Sequence, residues 1–174
     1  MEYTFTLTYR LPQDDCDLDT LVERLGEAGC DDALVGLGLP GQIGLDFIRE
    51  ADSAQEALLT ALADVRRALP QARLVEAVPD FVGLSDAADV VGVSRQNLGN
   101  LMLKHADSFP LPVHAGSTGV WHLEDLMLWL RDQLDYELPE ATLDIASTAR
   151  QINLAREAGR LSPGLLKEVR SLVA

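Results

Sequence analysis

The segment Ser94-Arg95-Gln96-Asn97-Leu98-Gly99-Asn100 carries side chains whose chemistry matches the edges of DNA bases. An Arg guanidinium donates a bidentate pair to guanine O6 and N7. A Gln or Asn carboxamide pairs in the same way with adenine. Ser94 and Lys104 are of the types that contact phosphate oxygens. No acid falls between Asp89 and Asp107, whereas a plain solvent-facing helix more often mixes Glu with Lys. The bland alternative is an ordinary helical hairpin with an amide-rich surface.

Other chemistries find less support. Asp15-x-Asp17-x-Asp19 opens like a calcium loop, but its sixth position is Thr20 rather than Gly and its twelfth is Gly26 rather than Glu. These acids are expected to form a solvated, helix-capping turn. His105, His114 and His122 are scattered, and no Cys or carboxylate pair stands at ligand spacing, so no metal is expected. Cys16 and Cys30 are too few for a disulfide framework and are expected as free thiols. The first eighty residues show no nucleophile–base pair and no glycine-rich phosphate loop. The chain is therefore expected not to be an enzyme and to need no cofactor.

The elements that position the Ser94–Asn100 segment follow from spacing. Ser85 is expected to cap a short helix with Ala87, Ala88 and Val91 on its apolar face. Ala88 is small, where a second helix would cross closely, and Gly92 suits the positive φ of a tight turn. Val93 plugs the space between the helices. Ser94 caps a second helix with Leu98, Leu101 and Met102 inside. This is the helix-turn-helix pattern. Phe109–Val113 is extended, 115–119 is a turn, and Val120–Leu123 is a short strand, together a wing. Glu124-Asp125 opens a helix containing Leu126, Leu128, Trp129 and Leu130.

The stretch from Gly83 to Gln96, then Phe-Pro-Leu-Pro-Val at 109–113, then Gly-Val-Trp-His-Leu-Glu-Asp-Leu-x-x-Trp-Leu at 119–130, resembles the compact winged helix-turn-helix of the MerR and AlpA (excisionase-like) group. The resemblance covers about residues 81–135. It implies Arg95, Gln96, Asn97 and Asn100 in the major groove. It also implies a wing around His114, Ser117 and Thr118 on the backbone or minor groove, with Trp121 and Trp129 as structural anchors. Related wings carry several Arg or Lys; this one offers only His114 and His122 beside hydroxyls, so phosphate attraction is expected to be weak.

Upstream, Tyr3 to Leu11 alternates apolar and polar residues with period two, a half-buried strand. Leu18, Leu21, Val22 and Leu25 recur at helical spacing, with Asp17 or Asp19 as cap and Gly29 as stop. Ala33–Leu39 and Ile43–Ile48 flank Pro40-Gly41 as a hairpin. Ser53 and Glu56 form a capping box for a helix with Ala57, Leu58, Ala61, Leu62, Val65 and Leu69. Ala72–Val78 is the last strand. The order βαββαβ predicts a ferredoxin-like domain over 1–79, a fold that hosts many functions. It is expected to dimerise, sense a small-molecule effector or bind a protein partner. Residues 80–136 form the winged helix-turn-helix. The tail, 137–174, is expected to be two helices, at 139–158 and from Ser162-Pro163, acting as a dimerisation arm or completing the core.

The chain has 174 residues and a net charge of −14, which argues against a bulk nucleic-acid coat or an anionic-membrane binder. The imbalance is regional. Residues 1–80 hold 16 acids and 6 bases, 81–136 hold 7 and 3, and 137–174 hold 5 of each. Twelve Arg against two Lys, with abundant Ala, Leu, Val and Gly, suggest a GC-rich bacterial genome. No secretion signal or membrane span is read, so the cytoplasm is expected. The expectation is an α+β bacterial transcriptional regulator that binds double-stranded DNA as a homodimer. The alternative is an antitoxin or adaptor whose acidic first half binds a basic protein.

Overall fold

The computed structural model describes residues 1–12 and 17–173. The expected turn at 12–17, Asp15 of the calcium-like run and the Cys16 thiol fall wholly or partly on residues 13–16, outside the described residues. The chain is a mixed α+β protein with antiparallel sheets.

The first strand, β1 (Glu2–Arg10), buries Tyr3, Phe5, Leu7 and Tyr9 and turns Thr4, Thr6 and Thr8 the other way. Helix α1 (Leu18–Glu27) starts at Asp17, whose carboxylate accepts the Thr20 N–H at 3.2 Å. That bond and one from the Thr20 hydroxyl lower the Asp17 pKa. β2 (Ala33–Leu37) and β3 (Gln42–Glu50) form a hairpin, and α2 (Ala54–Ala68) follows. At its start Ser53 Oγ accepts from Glu56 N, while the Glu56 carboxylate reaches back to Asp52 N. β4 (Arg73–Val78) closes a sheet of order β2-β3-β1-β4, antiparallel at every pair. One face of that sheet is covered by α1 and α2, and Phe5 stacks on Phe47 with centroids 5.1 Å apart.

Arg49 is a charged residue on the covered face. Its guanidinium bonds both oxygens of Asp32, Oδ2 of Asp64, the Thr60 hydroxyl and the Gly29 carbonyl. All five N–H donors of an Arg can be used in such a cage, which is what makes its burial tolerable. Cys30 sits beside it, and burial, reinforced by the Asp64 carboxylate, pushes its thiol up to about 11.

A second sheet of order β5-β7-β6 is made from β5 (Phe81–Val82), β6 (His114–Ala115) and β7 (Gly119–His122). Around it lie α3 (Leu84–Val91), α4 (Arg95–Lys104) and α5 (Leu123–Leu134). Their core holds Val82, Ala87, Ala88, Leu98, Phe109, Trp121, Leu126 and Trp129.

Two local expectations are corrected and one unexpected strand appears. Ser85 does not cap α3: the cap is Gly83 in extended conformation, and Asp86 accepts the Gly83 N–H at 3.3 Å. The start lies two residues earlier because Asp86 can reach back three residues and Gly83 adopts the cap geometry without a side chain. β5 is too short to show a period and was not anticipated. It exists because Phe81 and Val82 register with His122 and Trp121. His122 is not a wing cation: it is buried and turned inward.

Helix α6 (Glu140–Ala158) ties the two cores together. Ile145 and Ala149 join the first and Ala146 the second. Arg150 bonds Glu124 at 3.0 Å and Asp125 at 2.6 Å, at the start of α5. Acids there are already favoured by the helix N-terminus. Asn153, fully buried, places its carboxamide against the outer edge of β4. Ala77 N–H donates to Oδ1 at 2.9 Å, and Nδ2 donates to Ala77 O at 2.8 Å. The side chain thus stands where a neighbouring strand would pair with an edge that otherwise needs protection. Nδ2 also bonds Asp80 Oδ2 at 2.8 Å, and Asp80 Oδ1 lies 2.6 Å from His122 Nδ1. The final helix, α7 (Pro163–Arg170), has no fully buried residue, and Leu166 alone in it is half-buried. The expected tail therefore has two different halves, one built into both cores and one free of them.

Candidate nucleic-acid interface

Helix α4 is fixed from its inner side. Leu98 is fully buried, and Leu101 and Met102 pack against the second core. The turn before it works because Gly92 has φ +73°, a conformation that strains a side chain. Val93 N–H donates to Ala88 O at 2.9 Å, closing the turn over the two buried alanines. Ser94 then caps α4, its Oγ accepting from Asn97 N at 3.1 Å.

The opposite side of α4 is open. Ser94, Arg95, Gln96, Asn97, Asn100 and Lys104 are all exposed. At 100° per residue, Gln96, Asn100 and Lys104 fall on one stripe with Asn97 beside it, and Arg95 is offset toward the wing. Among the described residues, none of the Arg95, Gln96, Asn97, Asn100 or Lys104 side chains has a hydrogen-bond or ion-pair partner. α4 has no acid in its first turn, and Lys104 lies in its last turn.

The β6–β7 hairpin, the segment expected as a wing, completes the surface. His114 pairs with Val120 and Ala115 with Gly119, leaving Gly116–Thr118 as the exposed tip. A Cβ on Gly119 would overlap the Trp121 indole, so the wing strand needs glycine there to lie flat on the ring. Trp121 is held by Nε1 donating to Pro110 O at 2.9 Å, and Trp129 by Nε1 donating to Ser108 Oγ at 3.3 Å. Phe109 packs edge-on between them, with centroids 6.2 and 5.0 Å away. These aromatic contacts fix the wing against the helices.

A depression of about 350 Å³ lies between α3, α4 and the wing. It brings Arg95 together with Ser117 and Thr118, and Gly83, Ser85 and Asp86 form its other wall. His114, Asn100 and Lys104 do not line it. The site residues thus divide into a groove group centred on Arg95 and an outward stripe on α4. Asp86 puts a carboxylate into the groove, and the surface has few cations, in line with the weak charge of this region.

Sequence reasoning missed the inward group of Asp80, His122 and Asn153. A signal existed for one of them. Asn153 lies four residues after Ala149 and seven after Ala146, on the buried stripe of α6, where a polar side chain must find a partner. Among the described residues no group of His, Cys, Asp or Glu is placed to hold a metal ion, and no helix is long and apolar enough to cross a membrane. No family model, no curated protein and no solved structure matches the chain.

Proposed function

We propose that the protein is a sequence-specific DNA-binding protein, a transcriptional regulator that lays α4 in the major groove. The observation that carries this reading is the contrast across α4. Its inner side is anchored by Leu98, while its outer side presents Arg95, Gln96, Asn97 and Asn100 without partners among the described residues. In this reading residues 80–136 act as a winged helix-turn-helix of the MerR and AlpA-like type, and the βαββαβ half serves as a ferredoxin-like scaffold. Arg95 takes a guanine, and the amides take adenines on neighbouring steps. Ser94, Lys104 and the hydroxyls of Ser117 and Thr118 take phosphates, and His114 approaches the backbone beside the wing. No catalytic step and no cofactor is assigned.

The acidic scaffold fits this role. With 16 acids against 6 bases in the first eighty residues, it repels random DNA, so specificity rests on few contacts. Selection of binding sites from random duplexes with the full-length protein tests the reading. Enrichment of a defined motif is expected, and a pool that stays random contradicts it. In a two-fold-related motif, the half-site spacing measures the separation of two α4 helices.

A further inference from the structure

Two unpartnered surfaces of this chain complement each other. The first is the uncovered face of the four-stranded sheet. Ile48 and Leu34 are 57% and 72% exposed there, on the side opposite the core. Leu34 stands opposite Asp46 in the register, and Glu2 stands directly opposite Glu50. Like charges so placed repel. No Lys or Arg among the described residues pairs with either glutamate. Gly36 and Gly44 are also cross-strand partners, and a Cβ on Gly44 would meet nothing within 4 Å. No side chain among the described residues fills the trough they leave, and glycine in a strand often marks the close approach of another backbone.

The second surface is α7. Leu161, Leu165, Val169, Leu172 and Val173 recur at helical spacing, yet no residue of the helix is buried. Lys167 and Arg170 flank that stripe. An eight-residue helix is well below the length of about 12–15 residues at which an isolated helix becomes marginal in water, so burial of its apolar face must help hold it. With Glu168 between Lys167 and Arg170 the helix nets +1, opposite in sign to the sheet face, where Glu2, Asp46, Glu50 and Glu76 outnumber Arg10 and Arg73.

We infer that α7 docks on the open sheet face of a second copy of this chain, apolar stripe over Leu34 and Ile48, with Lys167 and Arg170 toward Glu2, Asp46 and Glu50. The exchange is reciprocal. Each copy gives a helix and receives one, so the contact closes as a two-fold dimer and leaves neither surface open. The contact involves neither α4 nor the β6–β7 hairpin, so its failure and that of the α4 reading are separate.

Sedimentation of the full-length protein at micromolar concentration tests it, with Leu165→Asp/Val169→Asp on the helix and Leu34→Lys/Ile48→Lys on the sheet. The wild type is expected to be a dimer. Each double variant is expected to weaken it by about tenfold or more with unchanged circular dichroism. The helix variant alters no packed residue, so its fold is secure even where the sheet variant loses stability. A monomeric wild type overturns the inference. So does a helix variant that stays dimeric, or a folded sheet variant that stays dimeric, since the first leaves α7 outside the interface and the second pairs it with something other than the sheet.

Discussion

Two sets of polar side chains in this protein differ in where their hydrogen-bonding capacity goes. Around Arg49 and around Asn153 it is used within the chain. The Arg49 guanidinium is caged by Asp32, Asp64, Thr60 and Gly29, and Asn153 bridges Ala77 and Asp80. On α4, Arg95, Gln96, Asn97 and Asn100 have the same kinds of donor and acceptor with no partner among the described residues, and all are exposed. The same residue types thus do two jobs. Inward groups hold the fold, because a buried donor left unpaired costs more than a satisfied bond contributes. Outward groups cost the fold almost nothing and stay available to a ligand.

That difference predicts opposite mutational behaviour. The largest loss of stability is expected at Arg49. Arg49→Met leaves Asp32 and Asp64 without their shared cation, and about 3 kcal/mol is expected in urea unfolding, the low end for a broken buried pair because both acids keep some solvent. Asn153→Ala should follow at about 2 kcal/mol, since it strips the edge of β4 and takes one donor from Asp80. Ser94→Ala removes the α4 cap and should cost about 1 kcal/mol. Arg95→Ala should change stability by less than about 0.5 kcal/mol. A large stability loss at Arg95, or none at Asn153, would erase the distinction.

Two smaller effects sharpen it. Cys30 belongs to the inward set, and its thiol is raised to about 11 chiefly by burial. A raised folded-state value favours the neutral thiol, so its contribution is intact below the ordinary cysteine range. It is lost as the pH climbs from about 9 toward 11. Native protein should therefore resist alkylation at Cys30 at neutral pH, and a Cys30→Ala variant should show a shallower alkaline loss of stability. On the outward side, salt dependence should be weak. With Lys104 as the cation of α4 that meets phosphate and Arg95 given to a base, the slope of log K against log salt should be about −1 per bound copy. A much steeper slope would place more bases on the DNA.

Much of this was legible in the residue pattern. The alternation of Tyr3 to Leu11, the Ser53–Glu56 box and the Ala88–Gly92–Val93–Ser94 turn are local signals, and each element forms near its expected bounds. What was not legible depends on residues far apart in sequence. β5 has two residues and no period of its own; it is defined by pairing with β7 forty residues later. His122 looked like a wing cation because nothing near it in sequence shows that Asp80 lies 2.6 Å from its ring. α6 reads as one amphipathic helix, whereas its buried residues serve two cores at once. In the candidate site, the outward amides were readable from type and spacing. The grouping of Arg95 with Ser117 and Thr118 came only from the fold of the wing.

Reading of DNA by the outward face of α4, as proposed, is decided on the duplex recovered by selection. Fluorescence anisotropy with wild type and Arg95→Ala, at matched stability and fixed salt, gives the comparison. The predicted result is a loss of about 1–3 kcal/mol in specific binding, with relaxed preference at one base pair. Equal affinity of the two proteins for that duplex would contradict it.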